Sequence, residues 1–180
     1  MYISQRLRQT NIAEWIIYMW QVEDVIRAFA LDIDRIENEY LTRFDVDDEQ
    51  LAAMTRWYSD LIDMMRDEGC CERGHLQIVN SALLLLTDLH LQLLASTKYP
   101  FYSAAYYKAL PFIVEVRSRG GDTSKGELES ALEALYGVML LRIQGKTVSK
   151  ETSAAVGEIS RFLGMLADYY IKDKNNELEL

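Results

Sequence analysis

Three charged side chains, Glu23, Asp24 and Arg27, stand in the aromatic, apolar stretch YMWQVEDVIRAF (residues 18–29). Two neighbouring carboxylates beside a guanidinium suit acid–base chemistry or the binding of a charged ligand. The same spacing also suits ordinary ion pairs on a helix, because Arg27 follows Glu23 by four residues and Asp24 by three. Two interpretations are therefore open: a boundary ion pair, or a polar cluster at a pocket or subunit contact.

Only two histidines, His75 and His90, are available for metal or proton chemistry. A di-iron site in a helical bundle needs a Glu-x-x-His motif on each of two helices, and Glu72 with His75 supplies only one. On one helix the two histidines would lie roughly 22 Å apart, too far to share a metal ion. We therefore predict no metal site and no cofactor.

His90 lies on an apolar helix face. That position favours a core histidine hydrogen-bonded to a tyrosine or a carboxylate, and the alternative is a ligand or general base. In the alternative, His90 would complete the polar cluster of Glu23, Asp24 and Arg27.

The sequence offers no recognisable nucleophile. Adjacent Cys70 and Cys71 lack the partners of a zinc site, and a disulfide between neighbours is strained. No Gly-x-Ser-x-Gly elbow is present, and RGGDTSKG (residues 119–126) lacks the spacing of a phosphate loop. We predict no catalytic residues and favour a protein that is not an enzyme.

Aromatic side chains form a second group of candidate binding residues. Trp15 and Trp20 belong to the first predicted helix, and Tyr102 and Tyr106 belong to a tyrosine-rich segment near the middle of the chain. Rings with polar tips suit a ligand pocket or a protein interface, and ordinary core packing is the alternative.

The balance of charge limits the possible partners. In 180 residues, 28 Asp and Glu outnumber 19 Lys and Arg, which gives a formal net charge of −9. Nucleic acids and anionic membranes would repel such a chain. The first residues contain no apolar signal segment, so we expect a cytoplasmic protein without nucleic-acid or membrane partners.

The leucine-rich run ALLLLTDLHLQLLA (residues 82–95) is the one candidate for a membrane span in the sequence. Asp88, His90 and Gln92 interrupt it, and its uninterrupted apolar segments are far shorter than the ~18 residues that a span requires. The run therefore predicts a core helix.

Apolar residues recur at spacings of three and four along the chain, which predicts helices throughout and no strand. About six helices with short connections favour an up-and-down bundle. We predict an all-α single domain over residues 1–180, with residues 1–10 as an N-terminal arm and residues 173–180 as a frayed, charged tail.

Capping residues mark where several of these helices begin. The predicted starts are Asn11 with Glu14, the segment DVDDEQ (residues 45–50), a point near His75, Ser124 with Glu127, and Ser149. Gly69 is a predicted helix stop, and Pro111 should kink the fourth helix.

The first predicted helix is too long for its neighbours. Unbroken from about residue 11 to 43, it would be on the order of 50 Å long, against on the order of 33 Å for each of the next two. The apolar surface around Trp15 and Trp20 would then stay uncovered. Either the helix breaks near ALDID (residues 30–34), where Asp34 and Glu37 can form a capping box, or later helices or a second subunit cover this surface. We favour the break, together with some self-association.

Two segments, TNIAEWIIYMWQVEDVIRAF (residues 10–29) and LESALEALYGVMLLRIQGKTVSKET (residues 128–152), resemble those of a bacterial domain-of-unknown-function family, number 4924. The resemblance runs over nearly the whole chain. It implies a cytoplasmic, all-helical protein with no established activity, and it carries no catalytic residues over to this sequence.

Two functions of different classes are compatible with these features. The first is a non-enzymatic helical bundle that acts through protein–protein interaction or forms a homo-oligomer through aromatic helix faces. The second is a small-molecule-binding or enzymatic bundle, with a pocket that combines Glu23, Asp24, Arg27 and His90 with tyrosines of the fourth helix.

Overall fold

The computed structural model describes residues 2–120 and 125–179, without the side chains of residues 119 and 120. These residues contain no β-strand, which confirms the all-α prediction for the part described. The prediction of about six helices is wrong, because the described residues form eight α-helices. They are α1 (Tyr2–Thr10), α2 (Ile12–Ala28), α3 (Ile33–Arg35), α4 (Asp48–Asp67), α5 (Gln77–Ala95), α6 (Pro100–Gly120), α7 (Glu127–Ile143) and α8 (Lys150–Lys174).

Helix α1 occupies the segment expected to be an N-terminal arm, and it packs against α2. Its buried residue, Ser4, accepts a hydrogen bond from Trp15 Nε1 at 2.9 Å. The Arg8 guanidinium lies 5.2 Å from the centre of the Trp15 ring, within cation–π range. A helix this short is marginal alone, so these contacts with α2 stabilise it.

The predicted break in the first long helix is confirmed. Helix α2 begins where predicted, with the Asn11 side chain accepting from the Glu14 N–H at 3.1 Å. After Ala28 the chain turns through Ala30 and Leu31, whose φ angles of 55° and 58° no right-handed helix contains.

The cap after the break differs from the predicted one. The Asp32 side chain accepts from the Arg35 N–H at 3.1 Å, instead of Asp34 pairing with Glu37. Helix α3 then continues as a π-helix, Ile36–Tyr40, and a 3₁₀-helix, Leu41–Arg43.

Helix α4 follows the sequence prediction at both ends. Asp47 and Gln50 form a reciprocal capping box, with the Asp47 side chain accepting from the Gln50 N–H at 2.8 Å. The helix ends before Gly69, which adopts a φ of +69° that glycine accepts without steric cost. The local sequence therefore determines this helix.

Helices α5 and α6 begin close to their predicted residues. Helix α5 begins at Gln77, two residues after the predicted start, and Leu76 stands at its N-cap without a side-chain hydrogen bond. Helix α6 begins at Pro100 and contains Pro111. Pro100 is tolerated because the first helical N–H has no partner within the helix.

The boundaries of the last two helices are set by small polar residues. Helix α8 begins after Ser149, whose side chain accepts from the Thr152 N–H at 3.1 Å, as predicted. Helix α7 begins after Gly126. The predicted cap at Ser124 lies outside the described residues.

The described part of the predicted tail, beyond the end of α8, contacts the start of α6. Lys98 Nζ lies 3.1 Å from a carboxylate oxygen of Glu179, and the Tyr99 hydroxyl donates to the Glu179 backbone carbonyl at 3.3 Å. Both contacts are at the surface, where ion pairs contribute at most about 1 kcal/mol.

Helix α2 lies in the middle of the fold, because it contacts α1, α5, α7 and α8. Its buried side chains include Trp15, Met19 and Trp20. Helices of the same chain therefore cover the apolar half that sequence reasoning left without neighbours, and no second subunit is needed there.

Helix α5 is buried on one side only, although the sequence predicted a core helix. Leu86 and Leu93 are fully buried, whereas Leu84, Leu85 and Leu91 are 64%, 55% and 58% exposed. By length and composition α5 would suit a membrane span, a property that it shares with core helices of water-soluble proteins.

Candidate functional site

Glu23 is the centre of the polar cluster, and it is fully buried. Its Oε2 lies 2.6 Å from His75 Nδ1, and its Oε1 accepts a hydrogen bond from the Leu76 N–H at 3.0 Å. The interpretation of Glu23 as one half of a boundary ion pair with Arg27 is therefore wrong. The start of α5 packs against α2 at this level and supplies both partners.

The carboxylate of Glu23 caps the N-terminus of α5. The first amides of a helix have no partner within it, and negative charge is favourable at this end. Leu76 stands at the N-cap position, and its side chain cannot accept a hydrogen bond. Glu23 accepts from the Leu76 N–H, and Glu68 accepts from the Gln77 N–H at 2.5 Å. Residues from outside α5 thus hold its first turn.

Arg27 fixes the loop between α4 and α5. Its Nη2 donates to the backbone carbonyls of Cys70, at 3.1 Å, and Gly74. Its Nη1 donates to Asp24 Oδ1 at 3.0 Å, which confirms the predicted pair three residues apart. Both terminal nitrogens of the guanidinium therefore bond to groups of the same chain, and neither is left as a donor for a ligand.

Asp24 connects the cluster to α7. Its second oxygen accepts from the Tyr136 hydroxyl at 2.6 Å. Burial, and then this hydrogen bond to Asp24, raise the pKa of Tyr136 well above its usual range. The phenol therefore stays protonated at neutral pH and acts as a permanent donor.

Trp20 closes the cluster from the apolar side. Its ring stacks on His75, with centroids 4.8 Å apart and an interplanar angle of 23°, and it meets Tyr136 edge-on at 6.0 Å. Trp20 Nε1 and Arg27 Nε are buried and have no hydrogen-bond partner among the described residues. Such donors reduce the stability that the cluster contributes.

His90 belongs to a different cluster, deep between α5, α6 and α8. Its Nδ1 lies 2.6 Å from the Tyr102 hydroxyl, as the core-histidine interpretation predicted. Its ring packs edge-on against Tyr106 at 4.9 Å and Phe162 at 5.5 Å. Burial lowers the pKa of His90, so the neutral ring is favoured.

The structure does not bring His90 to Glu23, Asp24 and Arg27. His90 lies thirteen residues after Gln77, the first residue of α5, so roughly 20 Å of helix separates it from the end of α5 that contacts Glu23. The pocket that would have combined all four residues with tyrosines of the fourth helix is therefore not assembled.

The four candidate aromatic residues are interior residues. Trp15, Trp20, Tyr102 and Tyr106 are each less than one-tenth exposed. The Tyr106 hydroxyl donates to Glu127 at 2.6 Å and so joins α6 to the first turn of α7. None of the four presents a surface that a partner protein can contact without rearrangement of the fold.

The cluster around Glu23 has part of the geometry of a proton-transfer site. A buried carboxylate orients a histidine that is 29% exposed at its side chain, which is how a general base is positioned. The neighbouring thiol, Cys70, is a poor nucleophile, because burial, followed by the charges of Glu23 and Glu68, raises its pKa.

Metal binding has no support in the described residues, since they contain no group of three or more His, Cys, Asp and Glu side chains suited to an ion. Each charged group around Glu23 is bonded to backbone or to a neighbouring helix, as in a structural network.

Sequence reasoning missed His75 and Tyr136 as partners of the cluster. Each is distant in the chain, by 52 residues from Glu23 and by 112 residues from Asp24. The one available signal was the apolar flank of Glu23, which shares its register with Ile16 and Ala30 and so faces inward.

Comparison with known proteins identifies the family but no characterised relative. No curated protein and no solved structure matches this chain. One family model, described as a domain of unknown function (DUF4924), matches residues 1–177. The match spans nearly the whole chain and confirms the resemblance seen in the sequence. The protein therefore belongs to the DUF4924 family.

Proposed function

We propose that the protein acts by binding rather than by catalysis, as a helical bundle that associates with a second copy of itself through α5 and α6. The observation that carries the proposal is the apolar surface of these neighbouring helices. Leu84, Leu85 and Leu91 on α5 are more than half exposed, and Phe101 and Tyr107 on α6 are 81% and 63% exposed.

The exposed residues form faces of the two helices. Leu84 and Leu91 are seven residues apart, so they lie on one side of α5, with Asp88 between them. On α6, Tyr107 and Val114 are also seven residues apart and share one side, whereas Phe101 lies on a second side, about 120° around the helix. Large exposed apolar faces of this kind mark protein interaction sites.

Charge complementarity favours α5 of one copy against α6 of the other. Asp88 lies in the middle of the leucine face, so two α5 helices packed about their centres would bring like charges together. Lys108 is exposed seven residues after Phe101, on the same side of α6, and its charge also acts on Glu158 of α8. A two-fold axis would pair Asp88 with Lys108 of the second copy twice in one closed interface.

The strength of this association follows from the apolar area. Fully burying a leucine or phenylalanine contributes about 1.5–3 kcal/mol, so burying the exposed part of three leucines from each copy contributes roughly 5–10 kcal/mol. Association costs a similar amount in lost freedom of motion. We therefore expect a weak dimer, with dissociation in the micromolar range or above.

Light scattering over a range of micromolar concentrations tests the proposal. The mass should rise from one chain toward two as concentration increases. Leu84→Ser together with Leu91→Ser should keep the protein monomeric, while Ile143→Ser, at an equally exposed residue of α7, should change nothing. A mass of one chain at every concentration overturns the proposal.

A charge reversal tests the pairing of the two helices. Asp88→Lys alone and Lys108→Asp alone should each weaken the dimer, and the double variant should regain affinity because opposite charges meet again. A double variant that is weaker than both single variants contradicts the α5–α6 arrangement, even if the protein does form a dimer.

We propose in addition that the protein is an up-and-down bundle located in the cytoplasm. Its two cysteines, Cys70 and Cys71, are free thiols, the form that a reducing compartment maintains. Its excess of acidic residues keeps it away from nucleic acids and anionic membranes.

A further inference from the structure

A cavity of about 320 Å³ lies between α1, α2, the segment that follows α3, and α4. It is far from the exposed leucines of α5 in the chain and shares no residue with the cluster around Glu23. Four tyrosines from four different segments line it: Tyr2, Tyr18, Tyr40 and Tyr58. The volume falls at the lower end of the range for small-molecule sites, about 300–1,000 Å³.

The walls of this tyrosine cavity are apolar. Val22, Val46 and Met54 line it together with the tyrosine rings, and Gln21 supplies an uncharged polar side chain. The lining residues among those described include no Asp, Glu, Lys or Arg. A charged ligand would therefore lose its hydration without gaining an oppositely charged side chain, which favours uncharged occupants.

The mouth of the cavity is apolar too. Tyr2 and Ile3 from α1 and Phe44 from the other side are 62%, 51% and 43% exposed. Three large apolar side chains left in water around one opening are unfavourable unless something covers them. A ligand that fills the cavity would extend to these side chains and remove part of that surface from water.

The backbone beside the cavity is irregular. Tyr40 is the last residue of the π-helix Ile36–Tyr40, a conformation that is rare and frequent at functional sites. The π-helix therefore places an irregular backbone segment in the wall of the cavity, which is a second observation that points to a ligand site.

The tyrosine hydroxyls are the polar groups that a ligand would meet. Burial, and then the neighbouring Tyr40, raise the pKa of Tyr18 to about 12. Burial also raises the pKa of Tyr58 well above its usual range. Both phenols are therefore neutral at physiological pH. Tyr58 already shares a hydrogen bond with Tyr40, so Tyr18 is the donor that a ligand would use.

The rings of the cavity meet each other edge to face. Tyr40 and Tyr58 have centroids 6.3 Å apart at 73°, and Tyr40 and Phe44 have centroids 5.4 Å apart at 79°. Such walls present ring edges and faces to the interior, which favours an aromatic guest over a flexible aliphatic one.

We infer that this cavity binds a small, uncharged, planar aromatic molecule that carries a hydrogen-bond acceptor, such as a ring ketone, of the size of two fused rings. The apolar walls receive the ring system, and a tyrosine hydroxyl donates to the acceptor. This binding site does not depend on the proposed dimer.

Titration of the full-length protein with the neutral naphthalene ketone dye prodan tests the inference. Its fluorescence should shift to the blue and saturate at one dye per chain. Val46→Trp should fill the cavity and weaken binding by about tenfold or more. Val148→Trp, the same change at a partly buried loop valine before α8, should leave the affinity within about twofold.

Tyr18→Phe separates the hydrogen bond from the apolar contact. Loss of a donor should weaken binding by about three- to tenfold and shift the emission of the bound dye further to the blue. Tyr170→Phe, at a partly buried tyrosine of α8 outside the cavity, is the matched control and should change neither quantity.

Several outcomes overturn the inference: no saturable binding, equal binding by wild type and Val46→Trp, or loss of binding in the variant with Leu84→Ser and Leu91→Ser. The last result would place the dye on the leucine face. If circular dichroism shows that Val46→Trp has lost helix, Met54→Trp fills the cavity from α4 and decides in its place.

Discussion

Glu23 Oε2 lies 2.6 Å from His75 Nδ1 while Glu23 Oε1 accepts from the amide of Leu76, so that one buried carboxylate binds two consecutive residues at the start of α5. The charge is fully removed from water. The buried Glu23 carboxylate depends on both partners, because burial of an ionised group is strongly unfavourable unless hydrogen bonds or an opposite charge compensate it.

Removal of the Glu23 carboxylate should destabilise the fold strongly. We expect Glu23→Ala to reduce the free energy of unfolding by about 3 kcal/mol or more, since it leaves a cavity and unpaired donors at His75 and Leu76. Urea unfolding measures the loss. Asp60→Ala, at an exposed residue of α4, should stay within about 0.5 kcal/mol. A loss below ~0.5 kcal/mol for Glu23→Ala would show that the carboxylate stabilises nothing.

Arg27→Met should release the loop between α4 and α5. The carbonyls of Cys70 and Gly74 would lose their donor, so amides in residues 68–77 should exchange with deuterium faster, while α8 stays protected. Mass spectrometry of the exchanged protein measures both. Arg161→Met removes a surface pair and is the control. Unchanged exchange in residues 68–77 would mean that the loop is held without Arg27.

The buried His90 should make stability depend on pH. Burial lowers its pKa below the usual 6.5, so the unfolded chain binds a proton first as the pH falls. Stability present above pH 6.5 should be lost as the pH falls from there through the lowered pKa. His90→Asn should flatten this part of the profile, measured by urea unfolding at successive pH values. Equal slopes in wild type and variant would contradict the assignment.

Ala30→Gly should stabilise the protein. Ala30 has a φ of 55°, a conformation that costs about 1–2 kcal/mol with a side chain and is free for glycine. Greater chain entropy of the unfolded state offsets part of this, leaving a gain of roughly 0.5 kcal/mol. Ala52→Gly, in the interior of α4, should instead destabilise by about 1 kcal/mol. Thermal unfolding should show shifts of opposite sign, and two decreases would rule out strain at Ala30.

Features that depend on adjacent residues could be predicted from the sequence. The helix starts predicted at Asn11, within DVDDEQ and near Ser149 are correct, because at each one a side chain accepts from the amide three residues on. The same holds for the break after Ala28. Its exact cap, Asp32, was missed because several acidic residues in that segment have comparable spacing.

Features that depend on which helices meet could not be predicted in the same way. Helical periodicity shows that Glu23 borders an apolar face, but it does not show that the start of α5 lies against that face. The pairing of Asp24 with Tyr136, 112 residues later, has the same origin. The exposed leucines of α5 were read as core, because composition does not distinguish a buried side from an uncovered one.

The start of α5 is capped by Glu23 of another helix, α2, and this affects the order of folding. A helix that caps itself can begin locally, as α4 does through Asp47 and Gln50. The first turn of α5 instead needs Glu23, so its start forms only after the intervening chain has closed into a loop, which costs entropy. Nucleation is therefore favoured within α2 and α4, and the α5 boundary is fixed late, when the helices dock.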